Sequence, residues 1–214
     1  TLIGALAGDA LTDADYNVAI GYAALSTDTL GSRSVAIGRE ALNTQNFTSA
    51  TTVYNVGIGY AAGRAITTGI QNTLIGGLAG DALTDADYNV ALGYLALSSD
   101  TLGSRSIAIG YGALDAQNFT SATDTYNVAV GHNAGTSVTT GVQNTLIGGL
   151  AGDAITTANN NTALGSYSLG VNTTGNSNVA IGYAALDANT TAANNTAVGT
   201  SALTANTTGT ENSA

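Results

Sequence analysis

Several residue types are missing from this chain: its 214 residues include no cysteine, proline, methionine or tryptophan. The absence of cysteine excludes disulfide bonds and thiolate sites, although it does not identify a cellular compartment. Histidine occurs once, as His132. A His/Cys metal site and a Ser-His-Asp catalytic set repeated along the chain are therefore excluded, and we expect neither an enzyme nor a bound cofactor.

Charged residues are also scarce, and most of them are acidic. They form 8% of the chain, against roughly 25% of an ordinary globular domain. The 14 acidic residues outnumber the four arginines and give a net charge of −10. An acidic surface without basic patches argues against binding nucleic acid or an anionic membrane. No apolar run approaches the ~20 residues of a membrane-spanning helix, so we expect no membrane insertion.

What the chain contains instead is repetition on two scales. Thr-Leu-Ile-Gly begins at Thr1, Thr73 and Thr145, which are equally spaced in the sequence (73 − 1 = 145 − 73 = 72). Inside each block a shorter unit recurs, clearest where Asn-X-Ala-X-Gly begins at Asn161, Asn178 and Asn195 (178 − 161 = 195 − 178 = 17). A fixed short period predicts units that are stacked along one axis, each touching mainly its neighbours.

The repeat also defines the domain organisation. We interpret residues 1–214 as a single repeat array made of blocks 1–72, 73–144 and 145–214. Repeat arrays normally end in atypical capping units, and neither end of this sequence shows one. We therefore expect the chain to be a segment of a longer fibre protein.

Each unit predicts one coil of a parallel β-solenoid, or β-roll, with about 17 residues per coil. With Asn17 as position 1, position 4 is always aliphatic, position 5 is always Gly, position 8 is almost always Ala and position 13 is usually Thr. Val18-Ala19-Ile20 and its equivalents read as a short strand, and a second strand is expected near the Thr. Stacking about 4.8 Å apart then lets the position-1 Asn amides form hydrogen-bonded ladders.

The uncharged side chains on both sides of the predicted strand indicate an oligomer. Positions 2 and 4 point to one side of the strand and position 3 to the other, yet all three positions lack charge. A strand without a strongly polar face is typical of a strand that is covered on both sides. We expect the position-3 row to pack against another copy of the chain in a homotrimer. The alternative is a monomer whose position-3 Ala row faces solvent.

Two groups of known proteins resemble these repeats. The segment from Asn161-Thr-Ala-Leu-Gly165 to Asn189-Thr-Thr191 resembles the repeats of long bacteriophage tail-fibre proteins. Ser34-Val-Ala-Ile-Gly38 and Ser106-Ile-Ala-Ile-Gly110 are similar to the head repeats of trimeric autotransporter adhesins, the YadA-like head. The second resemblance implies a parallel β-roll in a homotrimer. The unit here is longer than the usual adhesin unit, so a viral and a bacterial origin both stay open.

Two longer units supply candidate contact loops. The units 34–54 and 106–126 are equal in length and exceed the others (54 − 34 + 1 = 126 − 106 + 1 = 21), and their extra residues include the only two Phe of the chain. Insertions in solenoids form loops on one face, often a binding face. The candidate contact residues are Asn46, Phe47, Thr48, Asn118, Phe119 and Thr120. The alternative is that each Phe folds back over the coil edge or against a neighbouring chain.

Other side chains offer weaker hypotheses. Clustered carboxylates can bind calcium, and such candidates are Asp9, Asp13, Asp15, Asp81, Asp85 and Asp87. The alternative is that they are solvated turn residues. Tyr rows can stack against sugars, or they can cap turns and fill an interface. Arg33 and Arg105 follow Asp28 and Asp100 on the same coils, and we expect these residues to pair.

These observations favour a structural function over a catalytic one. We predict a shaft of an extracellular fibre, most directly a phage tail fibre of the virion, that presents a host-binding tip. The alternative is a bacterial adhesin head on the cell surface that itself binds a host receptor or glycan. An ice-binding solenoid is a third class, but it needs paired Thr columns on a flat face, and only one Thr column is continuous here.

Overall fold

The computed structural model describes residues 1–214 and is an all-β parallel β-solenoid of twelve turns, with no helix. The strands in chain order are β1 (Leu2–Ile3), β2 (Val18–Ile20), β3 (Gly31–Ser32), β4 (Val35–Ile37), β5 (Thr51–Thr52), β6 (Val56–Ile58), β7 (Thr73–Ile75), β8 (Val90–Leu92), β9 (Gly103–Ser104), β10 (Ile107–Ile109), β11 (Thr123–Asp124), β12 (Val128–Val130), β13 (Thr145–Ile147), β14 (Thr162–Leu164), β15 (Val179–Ile181) and β16 (Thr196–Val198). Twelve of them, one per coil, form a single parallel sheet. The predicted fold and coil length are confirmed.

The second predicted strand exists only beside the long coils. There β3 pairs with β5 and β9 pairs with β11, each over two residues. In the other coils the Thr column is linked by hydrogen bonds outside any strand. The Thr84 carbonyl, for example, accepts the Thr67 amide at 3.0 Å and the Thr67 hydroxyl at 3.3 Å. The prediction of a second strand in every coil was therefore wrong. These bonds hold this side of the stack without a continuous strand ladder.

Equal positions of successive coils lie directly above one another. Ala19 pairs with Ala36 and Ala163 with Ala180, so the register advances by one whole coil at every step. The buried position-1 side chains reinforce this register, as predicted. The Oδ1 of Asn161 accepts the backbone N–H of Asn178 at 2.9 Å, and the Nδ2 of Asn178 donates to the carbonyl of Ala192 at 2.9 Å. Each side-chain amide therefore joins two neighbouring coils and also forms a hydrogen bond within its own coil.

The solenoid core contains the position-3 row, which corrects our expectation for that row. Ala19, Ala36 and Ala180 are fully buried inside their own coils, beside the Ala row of position 8. The side chains of positions 2 and 4 point outward and are half-buried or exposed. Leu74 and Leu146 occupy the same inward position in two other coils and are also fully buried. Position 3 is thus unavailable for contact with another chain.

The core keeps its volume although the large side chains change position along the stack. Leu25 and Leu42 fill it from position 9. Where position 9 is Gly63, an added Cβ would lie 2.7 Å from Leu74 and 2.8 Å from Leu42. Large side chains from other positions, such as Leu74, occupy that space. This exchange keeps the interior close-packed in every coil.

The invariant Gly of position 5 is required by the coil spacing. These glycines have φ between 127° and 144°, a conformation that other residues rarely adopt. A Cβ at Gly93 would lie 2.5 Å from the carbonyl oxygen of Gly110 in the next coil. The Gly column therefore allows close backbone approach at the end of each strand.

Candidate functional site

The inserted loops fold back onto the solenoid more than they project from it. Phe47 and Phe119 are each only 7% exposed. Asn46 continues the Thr column, since its backbone N–H donates to the Thr67 carbonyl at 2.9 Å and its Oδ1 accepts from Thr29 at 3.1 Å. The loop tips, residues 48–50 and 120–122, are exposed. The structure therefore agrees with folded-back Phe side chains and leaves short exposed tips that include Thr48 and Thr120.

A buried polar network holds each loop in place. The Oδ1 of Asp28 accepts the backbone N–H groups of Gly31 and Phe47, both at 3.1 Å. Its Oδ2 accepts from Gln45 at 2.6 Å, and the Oε1 of Gln45 accepts from Asn55 at 2.9 Å. Asp28, Gln45 and Asn55 are all fully buried. The carboxylate thus links the inserted loop to the coil beneath it.

The second long coil repeats this network. Asp100 accepts from Gly103 and Phe119, and Gln117 donates to the Oδ2 of Asp100 at 2.5 Å. Sequence reasoning missed both networks, although one signal was present. Position 12 is aliphatic at Ile66 and Leu83 but Asp or Gln beside each insertion.

The predicted calcium residues do not converge. No group of three or more His, Cys, Asp or Glu side chains is placed to hold a metal ion. Asp85 and Asp87 instead bind the preceding coil, through the Thr68 hydroxyl at 2.7 Å and the Ile70 N–H at 2.7 Å. Asp9, Asp13 and Asp15 are exposed. The calcium site stays a prediction from sequence spacing, and no converging set of oxygen ligands supports it.

Two position-10 carboxyl groups have shifted acidity. Burial raises the pKa of Asp81, against the opposing effect of Arg64, whose Nη2 lies 4.0 Å from its Oδ2. Burial also raises the pKa of Asp153, and the negative charge of Asp187 adds to the rise. Both carboxyl groups are half-buried. Ionisation of either group at neutral pH therefore opposes folding.

An exposed aromatic column follows position 6. The rings of Tyr94 and Tyr111 stack with their centroids 5.8 Å apart, and His132 continues the stack at 5.2 Å from Tyr111. Tyr22, Tyr60 and Tyr183 belong to the same column, and each is about half exposed. These rings follow the end of each strand and are open to solvent. They are available to an interface or to a stacked ligand, the two alternatives that the sequence left.

A second column, which we call the corner column, consists of the last residue of each coil. Its twelve members all have left-handed backbone conformation, with φ between 51° and 68°, so their side chains leave the same corner. They are Tyr16, Arg33, Tyr54, Gln71, Tyr88, Arg105, Tyr126, Gln143, Asn160, Ser177, Asn194 and Glu211. The guanidinium of Arg33 lies 4.8 Å from the Tyr16 ring centroid and 5.9 Å from that of Tyr54. Arg105 lies 4.7 Å from the Tyr88 ring centroid.

The arginines of the corner column do not pair with the aspartates that the sequence suggested. Asp28 and Asp100 are buried in the loop networks. Arg105 instead binds Asp124, with 2.9 Å between its Nε and the Oδ1 of Asp124. This hydrogen bond raises the pKa of Arg105. Arg33 takes part in no salt bridge.

Between the two columns lies an apolar strip, which we call the outer sheet face. It consists of the position-2 and position-4 side chains of the coils, all Val, Ile, Leu or Thr except Ser213 at the end of the chain. Leu92, Ile107 and Leu164 are 42%, 37% and 45% exposed. Three of the four arginines lie in the columns that border this face, where the only acidic residue is Glu211. Most of the negative charge is therefore on the other sides of the solenoid.

The structure contains no helix that is long and apolar enough to cross a membrane. Comparison with known proteins finds no family model, no curated protein and no solved structure that matches the chain.

Proposed function

We propose that this chain is a structural shaft of an extracellular fibre, most directly a phage tail fibre that presents a host-binding tip. The observation that supports it is the uninterrupted parallel stack of twelve coils in one register. At about 4.8 Å per coil, the stack of twelve coils is roughly 58 Å long. A rod whose neighbouring coils are joined by one parallel sheet along its length is suited to hold a tip at a fixed distance.

The lateral assembly that we propose is a parallel homotrimer. The position-3 row is inside the coil, so the trimer contact moves to the outer sheet face. That face is an apolar strip along the whole rod, with exposed side chains such as Leu92 and Leu164. Contiguous apolar strips of this kind mark interaction sites. Each copy would cover the strips of its neighbours and leave its acidic sides in solvent.

The first test is the solution mass by light scattering on a sizing column. One chain has a mass of 21.0 kDa, and a trimer has three times that mass. Leu92→Lys combined with Leu164→Lys should return the mass to that of a monomer, because six ammonium groups would lie in the contact. Thr140→Lys, on an exposed side away from this face, should leave the trimer intact. A wild-type monomer of unchanged fold would contradict the trimer.

The alternative function is a bacterial adhesin head in which the loops themselves bind a host receptor or glycan. The exposed tips at residues 48–50 and 120–122 favour it, because they recur on one side of the rod. Replacement of each tip by three glycines keeps the buried Phe and Asp contacts. Loss of attachment by the full-length protein would then identify an adhesin, and unchanged attachment would favour a shaft.

A further inference from the structure

The two long coils differ at one corner, and the difference suggests a ligand. In the second block, Asp124 receives the Nε of Arg105 at 2.9 Å and the hydroxyl of Tyr126 at 3.3 Å. The equivalent residues of the first block are Thr52, Arg33 and Tyr54. The first block therefore has the same arginine and tyrosine without the carboxylate that they bind in the second.

The backbone at the two corners is equivalent. Thr52 pairs with Ser32 just as Asp124 pairs with Ser104, and both arginines have left-handed φ, 68° and 65°. Thr52 is exposed, and so is Arg33. An incoming carboxylate can therefore reach Arg33 and the Tyr54 hydroxyl from solvent, in the place that the Asp124 carboxylate takes at the second corner.

We propose that Tyr16, Arg33 and Tyr54 bind the carboxylate of an acidic sugar, such as a uronic or sialic acid residue. Arg33 holds one carboxylate oxygen and the Tyr54 hydroxyl holds the other. The guanidinium is already positioned by the two rings, and a guanidinium that is stacked on aromatic faces is well suited to a carboxylate. Arg33 has no internal acidic partner to displace.

The flanking rings favour a sugar over an acidic peptide. Tyr16 is 75% exposed and Tyr54 is 52% exposed, so both present open ring surface. A pyranose brings a rigid apolar face that packs on such a ring while its carboxylate reaches the arginine. This site goes beyond the shaft function, since a shaft does not need it.

The test uses the four arginines of the chain, whose Nε–Hε signals can be assigned individually by NMR. Titration with 3′-sialyllactose or tri-galacturonate should shift the Arg33 signal, whereas neutral lactose should not. Arg33→Gln should weaken binding about tenfold or more, because a charge-assisted hydrogen bond is lost. Arg39→Gln removes an equal charge from the position-6 column and should leave binding unchanged.

Reciprocal exchange between the blocks gives the decisive comparison. Thr52→Asp installs the internal carboxylate and should abolish the Arg33 response. Asp124→Thr removes it and should create a second responding site at Arg105. The proposal is overturned if Thr52→Asp binds as the wild type does. It also fails if a glutamate peptide of matched charge shifts Arg33 as strongly as the sugars, or if no probe does so. None of these results depends on the mass that tests the trimer.

Discussion

The shorter coils of the third block and the two long coils hold their neighbours by different buried groups. In the third block Asn161, Asn178 and Asn195 form an unbroken amide column. In the long coils position 1 is Ser34 or Ser106. There the side-chain amide of Gln45 or Gln117 donates hydrogen bonds both to this serine and to a buried aspartate of the preceding coil. The inserted residues are then fixed by the same aspartate.

This difference shows how a solenoid accepts an insertion without losing register. No buried side-chain nitrogen or oxygen lacks a hydrogen-bond partner. The neutral amide ladder is replaced by a charged network that satisfies both the coil and the loop. The backbone strand remains in register, with Ile107 opposite Val128 across the longer coil.

The largest effect is expected at the position-5 glycines, which long and shorter coils alike need for the close approach of their backbones. Gly110→Ala in a long coil and Gly165→Ala in a shorter coil should each destabilise the fold by about 3 kcal/mol or more. An added Cβ would lie 2.3 Å from the Gly131 oxygen and 2.5 Å from the Gly182 oxygen, respectively. Chemical denaturation measures the loss. Gly149→Ala is the control, because its nearest contact is 3.8 Å away.

The second-largest effect should distinguish the buried aspartate beside a long coil from the neutral amide at the same position in the third block. Asp28→Ala leaves two backbone N–H groups and the Gln45 amide without their buried acceptor, so we expect a loss of about 3 kcal/mol. Asn189→Ala, at the same coil position in the third block, removes only neutral hydrogen bonds, and a loss of about 1–2 kcal/mol is expected. Denaturation of both variants provides the measurement. Equal losses would show that the charged network contributes no more than the neutral amides.

A smaller effect concerns pH. The pKa of Asp81 is raised in the folded state from its ordinary value of 3.8, so the folded chain binds more protons than the unfolded chain between the two pKa values. Stability should therefore fall as pH rises through that interval. Asp81→Asn should be more stable than the wild type at neutral pH and should have a flatter pH profile. Asp13→Asn, at an exposed carboxylate, is the control; an identical profile for both variants would contradict the assignment.

The smallest effect is expected at the exposed corner. Asp124→Thr breaks the ion pair with Arg105, yet exposed pairs of this kind contribute little to stability. The melting temperature should stay within error of the wild-type value, as should that of Thr52→Asp. A clear fall in melting temperature for Asp124→Thr would mean that the second corner needs its carboxylate for folding.

The sequence predicted the features that depend on repetition. The coil length, the strand around Val179 and the amide ladder follow from equal residues at equal positions, because parallel stacking brings them together. The inward row could not be predicted, since positions 2, 3 and 4 are all uncharged and alternation gives no contrast. In the structure the position-3 row points inward, with Ala in most coils and the fully buried Leu74 and Leu146 in two of them.

The polar contacts were harder to predict for a different reason. Asp28 occupies a position that is aliphatic in several other coils, and only the three-dimensional stack shows that Gln45 lies above it. The partner of Arg105 comes from the next coil, at Asp124, which is more distant in sequence than Asp100. Proximity in sequence therefore identified the wrong partner.

The shared register of the coils has a consequence for how such a chain can change over time. Blocks 1–72 and 73–144 are similar in sequence, and each joins the next block in the same register, with Val56 opposite Thr73 and Val128 opposite Thr145. Loss or duplication of one block, as unequal recombination produces, leaves every remaining junction matched. Each event alters the rod by four coils, or roughly 19 Å at about 4.8 Å per coil. The length of the molecule is thus a heritable quantity that varies in fixed steps while the fold stays the same.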